Sequence, residues 1–429
     1  MRIRKQLMKN LARFVFTMGV LFSPMVFSQT SVDLDNLGID FSDASIDEAL
    51  ASGRRWSLSY LNGVEAKSTH NIRSHRLDLR LRDEGLIAQD WFYRGDAKLI
   101  YRLPQDNQIK DYNTLTWDWR VREIFLQHSR SDWNITAGFQ QVVWGEMDSM
   151  QLSDQLSAWD YSEFVFTSPE DARLGQPVIA YNYFEGKKKF EVLINPWPQV
   201  NRYPGADVNS IIDTGGYVFE ELTPEPLKAG ELGFRYRYTH ARSDISLMAA
   251  RLLNKNPDFN FTDYKARYRP YTMVAASVNL NRGSILWKAE AIAKYHQAFS
   301  GVSTQLVNVI DAALGFDYDA NGAWTLTLEA NNQLIVSENY VAIGLERRNN
   351  TLAMRWSKPM RNNTMMLTFY SSYQLQFEDQ IYSLNLSYAL SDDLNLDLNA
   401  TIIESKPVNS PMSIADEWDQ LSLKVIWTI

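Results

Sequence analysis

Two-residue alternation dominates this chain. In Arg76-Leu77-Asp78-Leu79-Arg80-Leu81-Arg82 every second residue is leucine and the residues between are charged, a pattern that a strand sorts onto two faces and a helix would scatter around its circumference. The same beat returns in Tyr382-Ser383-Leu384-Asn385-Leu386-Ser387-Tyr388 and in Leu394-Asn395-Leu396-Asp397-Leu398-Asn399. Tyrosines bracket the first of these, as interfacial residues bracket a strand that crosses a membrane.

Read back from the C-terminus, the alternation predicts about eighteen strands, with sixteen as the alternative because Gln333 to Arg348 fits either one loop or an extra hairpin. Short turns are expected at Arg82 to Gly85, His128 to Asp132, Glu185 to Lys188, His240 to Asp244, Asn281 to Ser284, Asp319 to Gly322, Met360 to Asn363 and Ser391 to Asp393. The longest polar stretches between strands are residues 145–177, 200–230 and 254–269. Short turns alternating with long loops predict an all-β protein, a transmembrane antiparallel β-barrel spanning residues 52–429, with tight turns and both termini on the periplasmic side. The last strand supports this: Leu421, Leu423, Val425, Trp427 and Ile429 share one face, and Ser422, Lys424 and Thr428 the other. Such a strand is what delivers a barrel to its assembly machinery, although Ile429 stands where an aromatic usually ends the chain.

Before the strands, Arg2, Arg4, Lys5, Lys9 and Arg13 precede an apolar run from Phe14 to Phe27, the layout of a signal peptide over residues 1–28, with Val26 and Ser28 at the cleavage positions. Residues 29–51 are acidic and weak in strand pattern, and are expected to form a periplasmic arm or a plug element. Composition agrees with export to a membrane. The 13 Trp, 21 Tyr and 20 Phe exceed what a soluble core of this size needs and suit interfacial girdles. Loss of five cations with the signal takes the formal net charge from -8 to -13, which argues against a nucleic-acid partner. Cys is absent, so disulfides and thiolate chemistry are excluded. After residue 28 no apolar run is long enough for a transmembrane helix, so lipid contact must come from strands.

No catalytic set, metal site or cofactor site is predicted. The histidines, His70, His75, His128, His240 and His296, lack the paired spacing of zinc ligands. A charge facing lipid at mid-membrane costs about 2–4 kcal/mol, so the charged phase of each strand must face the lumen. There Arg76, Arg80, Arg82, Arg120, Arg122, Arg235 and Arg237 predict a basic wall. Two interpretations stay open: a ladder favouring anionic or zwitterionic solutes, or cations that merely pair with lumen acids such as Asp78 and Asp118. The 145–177 loop, long and rich in acids and aromatics, is expected to fold inward as a constriction carrying Glu146, Asp148, Asp154, Asp160, Glu163, Asp171 and Arg173, with a cap outside the barrel as the alternative. Residues 200–230, with Pro204-Gly205 and Gly215-Gly216, are a second candidate.

The run Gly138-Phe139-Gln140-Gln141-Val142-Val143-Trp144-Gly145-Glu146-Met147-Asp148, with Asp154, Asp160 and Glu170-Asp171-Ala172-Arg173 after it, resembles a family of proteobacterial outer-membrane barrels known chiefly as a domain of unknown function. The likeness covers residues 132–177; Phe139 departs from the basic residue usual there. It implies a porin-like channel, or a component of an export or uptake system for lipidic or polymeric compounds. The expected function is therefore a solute channel. A scaffold or export conduit working with periplasmic and inner-membrane partners is the alternative, and an outer-membrane hydrolase a weaker third.

Overall fold

A computed structural model describes residues 53–66, 72–103, 117–150, 152–160, 169–202, 220–222, 228–260, 262–263, 265–299, 304–336, 346–406 and 419–429. The expected signal peptide and acidic arm lie outside these residues. Alternating segments pair with their sequence neighbours into one sheet of eighteen strands. They are β1 Gly53–Glu65, β2 Ile72–Ala88, β3 Trp91–Arg102, β4 Trp117–Ser129, β5 Trp133–Gln140, β6 Gln176–Glu185, β7 Lys188–Asn195, β8 Glu231–His240 and β9 Ser243–Leu253. There follow β10 Pro270–Arg282, β11 Ile285–Phe299, β12 Gln305–Asp319, β13 Thr325–Val336, β14 Arg348–Met360, β15 Met365–Gln374, β16 Asp379–Ala389, β17 Leu394–Glu404 and β18 Gln420–Thr428.

The first strand pairs antiparallel with the last, from Ser57↔Thr428 to Glu65↔Gln420, so the sheet closes and exposes no edge. The sixteen-strand alternative is overturned, and β13 pairs directly with β14, so no hairpin is inserted in the wall between Gln333 and Arg348. One expected turn is also corrected. Arg82 to Gly85 is strand, with Gly85 opposite Tyr93, and the chain reverses only at residues 89–90. The polar run that signals a turn here is instead held in the sheet by cross-strand pairs, Arg54 to Asp83 at 2.9 Å and Arg94 to Glu84 at 2.6 Å. The remaining tight turns fall where the sequence expects them, within a residue or two, and both ends of the barrel wall lie at their end of the cylinder.

The wall is inverted relative to a soluble protein. In β2, Arg76 and Asp78 are buried while Leu79 between Asp78 and Arg80 is exposed. Exposed leucines, isoleucines and tryptophans continue on the outer phase around the barrel, among them Leu99, Ile124, Ile179, Leu247, Leu314 and Leu352. That is the arrangement expected of a wall with lipid outside and water or packed polar groups within. Near the tight turns, aromatic rings meet across strands, Trp91 with His128, Trp133 with Tyr181, Phe190 with Tyr236 and Trp287 with Phe316. They form the girdle that the aromatic content implies.

The lumen is unevenly filled. Most of the 17-member apolar cluster lies inside, where Val178, Leu193, Met248, Leu252, Met273 and Ile292 on β6, β7 and β9 to β11 meet Trp144, Met147, Met150, Leu152 and Leu156 from the 141–175 connection. Along β15 the side chains are half-exposed throughout, and on β16 and β17 most are. Water therefore reaches that side of the barrel.

Candidate constriction and solute path

The 141–175 connection enters the barrel because the wall has donors and acceptors for it. Trp144 leads. Its ring is fully buried, its Nε1 donates to Glu191 Oε1 at 2.7 Å, and the Arg235 guanidinium lies 5.8 Å from the ring centroid while bonding Glu191 Oε2 at 2.9 Å. Gly233 makes room: a β-carbon there would fall 2.5 Å from the Trp144 ring.

Two wall carboxylates then hold the following turn by its backbone. Glu290 on β11 accepts from the amides of Glu146 and Met147, and from the amide and hydroxyl of Ser153, the Met147 bond being 3.1 Å and the Ser153 hydroxyl bond 2.9 Å. Glu329 on β13 accepts from the amides of Asp148 and Ser149 at 2.8 and 2.9 Å. A carboxylate this buried must be paired or multiply hydrogen-bonded, and consecutive amides meet that need while fixing the loop. Side chains add to it: Arg237 reaches Glu146 at 3.3 Å, Asn279 reaches Glu146 at 2.6 Å, and Lys288 bridges Asp148 and Asp317 at 2.7 and 2.6 Å.

The loop's second half crosses to the opposite side. Ala158–Trp159 pairs with Arg173–Leu174, and a one-turn helix, Pro169–Ala172, precedes the return. Arg173 closes on Asp154 at 2.6 Å and lies 4.8 Å from the Trp159 ring centroid. Burial pushes the Asp154 carboxyl up from its ordinary value, and Arg173 offsets only part of that. Asp160 is buried against Arg120 at 2.9 Å. The return strand passes β4 so closely that a β-carbon at Gly175 would sit 2.2 Å from the Arg122 carbonyl oxygen.

Arg122 itself sits at a β-bulge. Asp96 pairs with Glu123 and Ala97 with Val121, so Arg122 is the extra residue on β4. Around it, β2, β3 and β4, with β18 on the far side of β1, present an arc of cations: Arg76, Arg80, Lys98, Arg120, Arg122 and Lys424. Wall acids answer some of them. Arg80 forks onto Asp96 at 2.8 and 2.5 Å, Arg122 reaches Asp96 at 3.0 Å, and Asp78 lies 2.9 Å from Lys98 and 3.1 Å from Arg76.

The expected residues thus divide by task. Arg76, Arg80, Arg82, Arg120 and Arg122 stand on adjoining strands, whereas Arg235 and Arg237 lie on β8, four strands beyond β4, and grip the loop root; the seven do not form one wall. Of the loop residues, Asp148 and Asp171 retain exposure, with 43% and 18% of the side chain accessible, while Asp154, Asp160 and Arg173 are largely enclosed in ion pairs. Glu146 is half-buried between Arg237 and Asn279. Glu163 and most of the 200–230 stretch lie outside the described residues. The sequence reading missed Lys98 and Lys424, which complete the arc; the polar phase of Asp96-Ala97-Lys98-Leu99-Ile100 and of the last strand carried the signal. It also missed Glu290 and Glu329, single acids on otherwise apolar or mixed strands.

No group of histidines and carboxylates with metal-site geometry occurs among the described residues. His128 stacks on Trp91 at 4.5 Å and His75 meets Tyr60 edge-on at 5.8 Å, so both belong to the outer aromatic surface.

Among solved structures, OccAB4 of Acinetobacter baumannii is similar with a TM-score of 0.55 at 11% identity, covering 88% of this chain and 97% of its own. OccAB3 of the same organism gives 0.54 at 10% identity, covering 88% and 99%. OpdK of Pseudomonas aeruginosa, solved with vanillate, gives 0.54 at 9% identity, covering 88% and 98%. No family model matches the chain, and no curated protein matches it. At these identities the likeness is one of fold, and the fold is that of an outer-membrane porin barrel.

Proposed function

We propose that this protein is an outer-membrane channel that passes small anionic solutes through a passage bounded on one side by the 141–175 loop and on the other by the cationic arc of β2 to β4 and β18. The observation that carries it is the uneven lumen: the loop covers the apolar and acidic side, and the arc of six cations adjoins the half-exposed strands β15 to β17. Cations of one sign lining a low-dielectric opening concentrate anions there and oppose cations. Acids lower this surplus without removing it: Asp78 and Asp96 are each shared between two cations, Asp118 and Asp160 both face Arg120, and Asp171 lies among four, so these five carboxylates meet six cations. OpdK, a barrel of the same fold, has been solved with the anion vanillate. Membership of the domain-of-unknown-function family rests on the Gly138–Asp148 segment and its following acids, and belongs to this proposal. So does the orientation with termini and tight turns toward the periplasm, and delivery by the assembly machinery through β18.

The test is conductance of the refolded mature protein in planar bilayers under a potassium chloride gradient. We expect discrete open levels and a reversal potential showing chloride preference, reduced or inverted by Arg80→Glu with Lys424→Glu. A silent preparation would refute the channel and favour a scaffold working with periplasmic partners.

A further inference from the structure

The Asp171 carboxylate is ringed by four cations from four strands. Arg122 Nη1 and Lys424 Nζ stand 3.7 Å from its oxygens, and Arg80 Nη1 and Lys98 Nζ stand 4.0 Å away. A direct charge-assisted contact is about 2.7–2.9 Å, as the forked Arg80 to Asp96 pair illustrates. Asp171 is therefore centred among the four. Two of the cations form the floor, with 7% of Lys98 and 10% of Arg122 accessible; Arg80 at 32% and Lys424 at 24% form a rim open to the passage. Burial works against charge on Asp171, but Lys98, Lys424, Arg122 and Arg80 more than reverse it and hold the carboxyl well below the usual carboxylate range.

The socket belongs to the wall and its occupant to the loop. Every cation is fixed by a strand, Arg122 by the bulge, whereas Asp171 arrives on the one-turn helix Pro169–Ala172. A solute carboxylate has the same charge and the same two acceptor oxygens as the aspartate side chain, and the rim cations give a second carboxylate a partner. We propose that this socket is a binding subsite for the carboxylate of small organic acids, dicarboxylates above all, and that Asp171 is its tethered occupant, competing with solute for the four cations. The proposal rests on the anion-channel reading and goes beyond it by naming the subsite, the ligand class and the internal competitor.

The experiment uses wild type, Asp171→Asn and Asp171→Glu in bilayers, with glutarate as the probe and half-block of the single-channel chloride current as the readout. Removing one negative charge about 4 Å from four cations is expected to lower the half-blocking glutarate concentration about tenfold in Asp171→Asn. Asp171→Glu should stay near wild type. Folding is checked by heat-modifiable migration of each barrel on gels. A larger conductance in Asp171→Asn with unchanged half-block would mean that Asp171 only pins the loop, and would overturn the proposal. A wild-type channel that prefers chloride yet shows no saturable glutarate block would overturn it while leaving the anion channel standing. Preference for potassium in wild type would overturn both.

Discussion

The indole of Trp144 occupies the space that a side chain at Gly233 would need, with its Cη2 2.5 Å from where a β-carbon would stand. This glycine on β8 thus decides whether the loop root can lie against the wall. Gly233→Val is expected to displace the ring, break its bond to Glu191 and release the first turn of the loop. Overpacking of this kind costs about 1–3 kcal/mol, and deleting a buried tryptophan side chain about 3–5 kcal/mol. Thermal unfolding followed by gel migration should show Gly233→Val and Trp144→Ala both destabilised, with larger single-channel conductance in each. Wild-type conductance in either variant would mean that the loop is held without Trp144.

The barrel was legible in the sequence because the wall separates two solvents, and that requirement acts on every residue of a strand such as Arg76 to Arg82. Closure, inversion and the tight-turn end all follow from it. The solute path was less legible for two reasons. Arg235 and Arg237 show the same alternation as Arg80 and Arg82, and only the number of strands between them reveals that they face a different part of the lumen. Arg122 keeps the phase of Arg120, and the bulge that turns it toward Asp96 shows only as the adjacent polar pair Arg122-Glu123, across which the outward apolar phase passes from Trp117 and Trp119 to Ile124 and Leu126. The turn expected at Arg82 to Gly85 failed for a related reason: clustered charges read as solvent-exposed, but here Asp83 and Glu84 each find a partner across the sheet.

Glu290 and Glu329 illustrate a different blind spot. A sequence shows an acid and invites a search for its cation, whereas both carboxylates bind mainly backbone amides of a segment more than 130 positions away. Replacing them tests the anchoring directly. Each charge-assisted hydrogen bond contributes about 1.5–3 kcal/mol, so Glu290→Ala together with Glu329→Ala should free the turn at Glu146 to Ser149 although the barrel still closes. The expected record is a channel with higher mean conductance and rapid flicker, and faster proteolysis within the loop at unchanged barrel migration. Quiet wild-type openings in the double variant would assign the anchoring to the apolar contacts of Met147, Met150 and Leu152 instead.

Acid should separate the two loop carboxylates whose values are displaced in opposite directions. Asp171 is held below the ordinary carboxylate value, so its contribution to docking is fully present above the unfolded value of about 3.9 and fades only as pH falls from there through its lower docked value. Asp154 is displaced upward; its linkage favours docking at low pH and weakens as pH rises through the docked value. Neither group therefore opens the loop between pH 7 and about 4.5, and Asp154 resists opening there. Single-channel conductance is expected to keep one level across that interval and to become larger and noisier below about pH 3.5, where the Asp171 contribution declines. The Asp171→Asn variant should lack this acid transition, because it has no carboxylate to protonate. An opening near pH 5 that survives in Asp171→Asn would show that other lumen acids control the loop.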